Sequence, residues 1–237
     1  MPRYASAVLP LLWLCLGSAC RDVTFNNPLD PGASAGELRL ERRVTTSVAG
    51  GGDLVFDGEK LWWLSGESLI ALDAWSGTLI RNIACGQASG VAWHQGLLCV
   101  CSDTARRLRA YDPLSGNLVW ERPTSGLALS LPVSEGSTLV AVDGQTASLV
   151  RYDPETGAVE RLGGLGGIRP SGLCLWGGEL LLTEGSREVV TRMTLTGQAL
   201  EVYRSPLQGT SGICTLADGL TLVLGSRHGE LAQVRLP

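Results

Sequence analysis

The chain has 237 residues, of which 44% are hydrophobic and 18% charged, and its formal net charge is −4. This length and balance predict one globular domain and exclude an intrinsically disordered chain. The mildly acidic composition, without a basic run, argues against a nucleic-acid partner, and none is predicted.

The amino end is typical of a targeting segment. Arg3 precedes an apolar stretch, residues 5–16, that is too short to span a bilayer, and small residues then lead to Cys20. This pattern predicts a lipoprotein signal peptide over residues 1–19, with Cys20 acylated and the protein attached to a membrane through that anchor. The alternative is ordinary cleavage after Ala19, which leaves Cys20 as a free thiol.

Residues 20–35 are predicted to be a flexible tether, because prolines, Gly, Ser and Asn discourage regular structure there. Their Asn-Pro-Leu-Asp-Pro phrase, residues 27–31, resembles that of bacterial surface or periplasmic lipoproteins. By the same resemblance, Arg21 in place of an aspartate favours sorting to the outer membrane. The predicted localisation is therefore the bacterial cell envelope, as an outer-membrane lipoprotein.

Residues 36–237 are predicted to form one all-β domain built from a repeat. A short phrase, Asp-x-x-Ser/Thr-Gly or a shortened form of it, ends at glycines 77, 116, 157 and 197, which are 39, 41 and 40 residues apart. A period near 40 with strand-like flanks is typical of a β-propeller. Glycine accepts a positive φ and aspartate bonds the turn backbone, so each phrase is expected to turn one strand into the next.

Four strand-like pieces recur in each repeat, and the innermost begin near residues 52, 89, 130, 171 and 211. The second piece is almost wholly apolar, as in Leu97–Cys101, which suits a strand covered on both faces. We therefore predict a five-bladed β-propeller with four-stranded antiparallel blades. The last repeat lacks its fourth strand, and residues 37–45 are predicted to supply it and close the ring, which removes a long exposed sheet edge.

The phrases at residues 70–77 and 108–120 resemble the quinoprotein-type propeller repeat, which runs Ala-x-Asp-x-x-Thr-Gly and then Trp. The similarity extends over residues 46–205, although only the second repeat carries the tryptophan, Trp120. Quinone-binding members have eight blades and calcium ligands that have no counterpart in this pattern. The resemblance therefore implies the fold, and no cofactor is predicted.

A lipoprotein with such a propeller also resembles the scaffold subunit of the outer-membrane β-barrel assembly machine, which has eight blades. That resemblance implies a scaffolding role. Five-bladed enzymes such as glutaminyl cyclotransferases and inverting glycosidases share the blade number, but their motif blocks are absent from this sequence.

The loops that enter the inner strands and those that join the second and third strands are expected to meet on one face of the ring. They supply the candidate binding residues, which are Ser89, Asp103, Asp143, Arg169, Ser171, Glu184, Arg187, Ser211 and Arg227.

Three of these residues are acids that follow the second strand in successive repeats. Asp103, Asp143 and Glu184 suit acid–base work if the carboxylates are suitably spaced, or they bond the backbone of their own turns. The serines precede or adjoin glycines and are expected to bond backbone where the strands crowd the axis. No catalytic residue is assigned.

Cysteines and histidines give no metal site. Only His94 and His228 are present, both expected in solvated turns, and no Cys-x-x-Cys occurs, so a zinc site is not predicted. Cys174 and Cys214 are expected to pack as small apolar residues. A disulfide from Cys85 to Cys99 or Cys101 is an alternative in an oxidising compartment.

The sequence therefore predicts a lipid-anchored, non-catalytic binding or scaffold protein of the cell envelope. Its expected ligand is an envelope protein or a glycan. Two alternatives remain: a small-substrate hydrolase or lyase that uses the carboxylates, and a carbohydrate-binding propeller.

Overall fold

The computed structural model describes residues 35–48 and 50–237, and its regular elements are all β-strands. Blade I consists of β3 (Leu54–Phe56), β4 (Lys60–Ser65), β5 (Ser68–Asp73) and β6 (Leu79–Ala84). Blade II consists of β7 (Gly90–His94), β8 (Leu97–Ser102), β9 (Arg107–Tyr111) and β10 (Leu118–Pro123). Blade III consists of β11 (Leu129–Glu135), β12 (Thr138–Asp143), β13 (Ser148–Tyr152) and β14 (Val159–Gly164).

The last two blades include strands from the start of the described chain. Blade IV consists of β15 (Gly172–Trp176), β16 (Glu179–Glu184), β17 (Val189–Met193) and β18 (Ala199–Arg204), with β1 (Gly36–Glu37) at its edge. Blade V consists of β19 (Thr210–Thr215), β20 (Leu222–Ser226), β21 (Glu230–Arg235) and β2 (Arg39–Thr45). Consecutive strands within each blade are antiparallel, which confirms the predicted five-bladed propeller.

The amino-terminal segment closes the ring as predicted, but it is divided between two blades. β2 pairs antiparallel with β21, from Arg39 opposite Arg235 to Thr45 opposite Glu230, and so completes blade V. β1 instead pairs parallel with the outer edge of blade IV, with Gly36 opposite Tyr203. Leu38 lies between β1 and β2 and is buried in the core cluster of blades IV and V. This apolar contact fixes the point at which the chain passes from blade IV to blade V.

The hydrophobic core consists of clusters that lie between adjacent blades. One of them joins Leu61 and Trp63 of blade I to Val223 and Leu231 of blade V, which is the contact expected of a closed ring. Each blade contributes its apolar second strand, and Trp62 and Trp63 are almost wholly buried. Burial on both faces explains why these strands are nearly continuous hydrophobic runs.

The repeated phrase forms the predicted turn between the third and fourth strands. In blade II, Asp112 Oδ1 accepts hydrogen bonds from the amides of Leu114, at 2.8 Å, and Ser115, at 2.6 Å. Gly116 has φ 78°, a conformation that favours glycine. The hydrogen bond from the Ser115 amide, opposed in part by desolvation, lowers the pKa of Asp112 below its ordinary value.

All five cysteines in the described part of the chain are free and buried. The alternative disulfide from Cys85 to Cys99 or Cys101 is therefore not formed. Burial raises the pKa of Cys85 to about 11 and that of Cys99 to about 12, so both are thiols at neutral pH. Cys174 and Cys214 pack in core clusters, as predicted. No helix of the described chain is long and apolar enough to cross a membrane.

Candidate functional site

A cavity of about 640 Å³ opens on the face where the predicted binding loops meet. We call it the upper cavity. Its lining includes six of the predicted residues: Ser89, Asp103, Arg169, Ser171, Ser211 and Arg227. The loops that precede β7 and β15, the start of β19, and the loops that follow β8 and β20 bring these side chains together.

Three of the five serines that line the cavity, Ser89, Ser171 and Ser211, form hydrogen bonds to backbone carbonyls of the next blade. Ser89 Oγ donates to the carbonyl of Leu129 at 2.9 Å, and Ser171 Oγ lies 2.8 Å from that of Thr210. Ser211 Oγ donates to the carbonyl of Gly51 at 2.6 Å. Each bond joins consecutive blades beside the axis, so these hydroxyl groups hold the ring together and are not positioned as nucleophiles.

Two arginines of the upper cavity have a positive charge without an ion-pair partner in the described chain. Arg169 and Arg227 are exposed, and within residues 35–48 and 50–237 neither guanidinium has a hydrogen bond or an ion pair. The third charged lining residue, Asp103, is exposed and accepts a hydrogen bond from the Thr104 amide at 2.7 Å. The lining is therefore cationic although the whole chain has a net charge of −4.

Asp143 and Glu184 are buried at the ends of their strands and do not line the upper cavity. Asp143 Oδ2 accepts a hydrogen bond from Thr146 Oγ1 at 2.7 Å, and its Oδ1 lies 3.2 Å from the Gln145 amide nitrogen. Glu184 forms an ion pair of 3.5 Å with Arg187, which is also absent from the lining. Both acids therefore bond the turns that follow their strands, and Asp143 also accepts a hydrogen bond from the Ala128 amide at 3.3 Å.

The prediction that the three acids occupy corresponding positions is wrong for Asp103, which lies one residue further along its repeat than the other two. Asp143 and Glu184 are the last residues of β12 and β16, whereas β8 ends at Ser102. Asp103 belongs to the turn that follows. Alternation along a strand directs successive side chains to opposite faces, so this shift explains why Asp103 lines the cavity and the other two acids do not.

A buried acid at the axis, Asp53, is absent from the residues that the sequence predicts. Its carboxyl Oδ2 accepts a hydrogen bond from the Val91 amide of blade II at 3.1 Å, while Oδ1 has no hydrogen-bond partner in the described chain. Residues 51 and 52 line the upper cavity, and Leu54 lines a lower cavity of about 220 Å³. Asp53 therefore lies at the boundary between the two cavities.

Burial raises the pKa of Asp53 well above its ordinary value of 3.8, and the nearby backbone amides of Val91, Leu54 and Leu173, of which Val91 donates the hydrogen bond to Oδ2, oppose this rise. Val91 and Leu173 belong to β7 and β15, which are inner strands of blades that are not neighbours. The carboxyl group therefore interacts with strands across the axis. The one available sequence signal is an aspartate at the start of an inner strand, where the repeats at residues 90, 172 and 212 have glycine.

We expect Asp53→Asn to change how stability depends on pH. The folded chain holds the Asp53 proton more tightly than the unfolded chain does, so this group's contribution to stability is full below pH 3.8 and falls as the pH rises through the raised pKa. The loss is about 1.4 kcal/mol for each pH unit between the two pKa values. Urea unfolding at pH 4, 6 and 8 should show Asp53→Asn gaining stability relative to the parent as the pH rises.

Asp112→Asn is the matched control, because hydrogen bonding lowers the pKa of this exposed turn aspartate. The contribution of Asp112 to stability depends on pH in the opposite direction. It is present above the pKa of the unfolded chain and is lost as the pH falls through the pKa of the folded chain. If the free energy of unfolding of the parent and that of Asp53→Asn changed in parallel with pH, the raised pKa of Asp53 would be contradicted.

The lower cavity offers no polar constellation among the described residues. Most of its lining is apolar, with Ser134 and Thr215 among the polar exceptions. His94, which the sequence predicts in a solvated turn, is instead 4% exposed, and its Nδ1 lies 2.8 Å from Ser134 Oγ. Burial lowers the pKa of His94, opposed in part by the charges of Glu155 and Asp153. His94 belongs to β7, and the pairing of its strand buries it.

Among the described residues, the lining offers two unpaired guanidinium groups to an anionic ligand. A hydrolase needs a nucleophile or an activated water, a base within reach and a group that orients the base. Among the described residues, Ser89, Ser171 and Ser211 donate to backbone, and no group of three or more His, Cys, Asp or Glu could hold a metal ion. Arg169 and Arg227 are the charged groups of this lining that have no side-chain partner in the described chain.

Comparison with solved structures supports the fold. The crystal structure of Myxococcus xanthus glutaminyl cyclase superposes with a TM-score of 0.69 at 16% sequence identity, over 85% of this chain and 98% of that chain. At this identity the likeness concerns the fold alone. No curated protein matches the sequence.

A family model supports the repeat. The model described as outer membrane protein assembly factor BamB matches residues 56–218, which is more than half of the chain and covers most of the five blades. The match agrees with the quinoprotein-type repeat seen in the turn phrases. The chain therefore belongs to the family described as outer membrane protein assembly factor BamB.

Proposed function

We propose that this protein is a lipid-anchored protein of the bacterial cell envelope that binds a protein partner at the upper cavity and performs no chemistry. The observation that carries the proposal is the pair of exposed arginines, Arg169 and Arg227, which line one cavity without an ion-pair partner in the described chain. Membership of a family named for outer-membrane protein assembly is consistent with a partner in the envelope.

The chemistry of the cavity indicates the kind of partner. Arginine presents a planar fork of donors that binds carboxylates in a bidentate manner, and it is common at the energetic centre of protein interfaces. Two such groups beside a single carboxylate, Asp103, favour an acidic segment of the partner. The hydroxyl groups of Ser89, Ser171 and Ser211 already have internal partners, as do the acids Asp143 and Glu184, which favours binding over hydrolysis.

The position of the amino-terminal strands is compatible with a membrane anchor. β1 attaches the start of the described chain to the outer edge of blade IV, at Tyr203 and Arg204. A tether from Cys20, which lies outside the described residues, would therefore reach the side of the ring.

Affinity purification of the tagged full-length protein from detergent-solubilised membranes tests this proposal. We expect a stoichiometric envelope protein to accompany the parent chain and to fall at least tenfold in a variant with Arg169→Glu and Arg227→Glu, because the reversed charges repel an acidic segment. Arg204→Glu is the matched control, since Arg204 is also exposed but belongs to β18.

Three results would count against the proposal. The parent chain could purify alone, the double variant could retain the partner, or Arg204→Glu could lose the partner to the same extent. In the last case the effect would come from net charge rather than from the cavity. Mass spectrometry of the mature amino terminus in the same preparation tests whether Cys20 is acylated.

A further inference from the structure

A second cleft lies between blades I and V, away from the upper cavity. Its volume is about 460 Å³, and its lining combines an apolar part with a polar part. We call it the Trp75 cleft and define it by Glu41, Phe56, Trp75, Leu216, Asp218 and Arg235. Size and mixed lining are those of small-ligand sites in proteins.

The tryptophan of this cleft is exposed but its backbone is held in place. Trp75 is 60% exposed, which is unusual for so large an apolar side chain. Its amide donates to Asp73 Oδ1 at 3.0 Å, and the buried Gln233 donates through Nε2 to the carbonyl of Ala74 at 2.9 Å. The turn therefore presents the indole ring from a fixed position.

This aromatic residue is not part of the repeated turn phrase. The equivalent position of the turn holds Leu114 in blade II and Glu155 in blade III. Trp75 is therefore not required by the turn itself, which forms with the same aspartate hydrogen bonds around leucine and glutamate. The guanidinium of Arg42 lies 5.9 Å from the ring centroid, and the side chain remains mostly exposed despite that contact.

The polar part of the cleft is a charged network in which each acid is paired. Arg235 Nε lies 3.0 Å from Glu41 Oε1, and its Nη2 lies 3.8 Å from Asp218 Oδ2. The third acid of the lining, Glu59, pairs with Lys60 at 2.8 Å. The lining has three carboxylates and one cation, Arg235, which disfavours an anionic ligand. All three carboxylates are already in ion pairs, which weakens their attraction for a cationic ligand, so a neutral ligand is favoured.

We propose that the Trp75 cleft binds a neutral saccharide. The apolar C–H face of a sugar ring can stack on the exposed indole. Its hydroxyl groups, each both donor and acceptor, can bond the carboxylate oxygens of Glu41 and Asp218 and the guanidinium of Arg235. The proposal is independent of the upper cavity, so either can fail without the other.

An array of neutral and acidic oligosaccharides, followed by calorimetric titration of the strongest neutral binder, tests this site. We expect a neutral oligosaccharide such as maltotetraose, cellotetraose or chitotetraose to bind the parent chain. Trp75→Ala should weaken that binding at least tenfold, and Trp75→Phe should weaken it less because a ring is retained. Leu114→Ala is the matched control, because it removes the side chain at the same turn position of blade II, and it should bind as the parent does.

We expect the substitutions to leave the fold intact, since Trp75 and Leu114 are exposed turn residues, and thermal unfolding of each variant checks that point. The proposal is overturned if no neutral oligosaccharide binds, if only acidic ones bind, or if Trp75→Ala binds the neutral oligosaccharide as tightly as Leu114→Ala.

Discussion

Removal of residues 39–45 is expected to abolish cooperative folding of the propeller. β2 supplies the outer strand of blade V, and its ladder to β21 runs from Arg39 to Thr45. Loss of several ladder hydrogen bonds, at about 1 kcal/mol each, together with the apolar contact of Val44, amounts to on the order of 5 kcal/mol. That is comparable to the whole stability of many domains. Urea unfolding followed by far-ultraviolet circular dichroism measures the effect.

Glu37→Pro is the control for the deletion. It disturbs only the two-residue parallel contact of β1 with β18, so we expect a change of less than about 1 kcal/mol. A deleted chain that unfolds with the same midpoint and cooperativity as the parent would contradict closure by the amino-terminal strand. The freed edge of β21 should also promote self-association, which size-exclusion chromatography detects.

Gly212→Ala is expected to destabilise the axis by about 2 kcal/mol or more. A Cβ atom at this position would lie 2.6 Å from the carbonyl oxygen of Gly52 and 3.0 Å from the amide nitrogen of Leu54. Both atoms are backbone of the neighbouring blade, and the closed ring limits their movement. Overpacking of this kind costs typically about 1–3 kcal/mol, and urea unfolding of the variant provides the measurement.

Gly144→Ala is the matched substitution, because its added Cβ would meet nothing closer than the Ala128 carbonyl oxygen at 3.5 Å. We expect its stability to stay within about 0.5 kcal/mol of the parent. If the two variants had the same free energy of unfolding, the inner strands could move apart at no cost in stability. The close approach of the blades at the axis would then not contribute to the stability of the fold.

The architecture could be predicted because it depends on local and periodic signals. The turn phrase, the apolar second strands and the spare strand after the tether specify blade number and closure. The division of the segment between β1 and β2 could not be predicted, because it depends on Leu38 meeting a core cluster formed by blades IV and V. Such a contact exists only after the ring has closed.

The candidate site could be predicted only in part. Serines and arginines near the starts of the inner strands and in the loops after the second strands could be placed on one face from strand order alone, and six of the nine predicted residues line the upper cavity. Burial of Asp143 and Glu184 depends on where each strand ends, and a difference of one residue separates them from Asp103. The position of Asp53 depends on the convergence of inner strands from blades I, II and IV, for which the sequence has no local pattern.

The measurement that tests the central claim most directly is site-specific photo-crosslinking in living cells. A photoreactive residue would replace Ser186, which is exposed and lines the upper cavity, and in a parallel strain Leu114, which is 79% exposed on a turn of blade II. Binding at the upper cavity predicts a discrete protein adduct from position 186 that disappears with Arg169→Glu and Arg227→Glu, and no such adduct from position 114. An adduct from position 114 alone, or none from position 186, would contradict it.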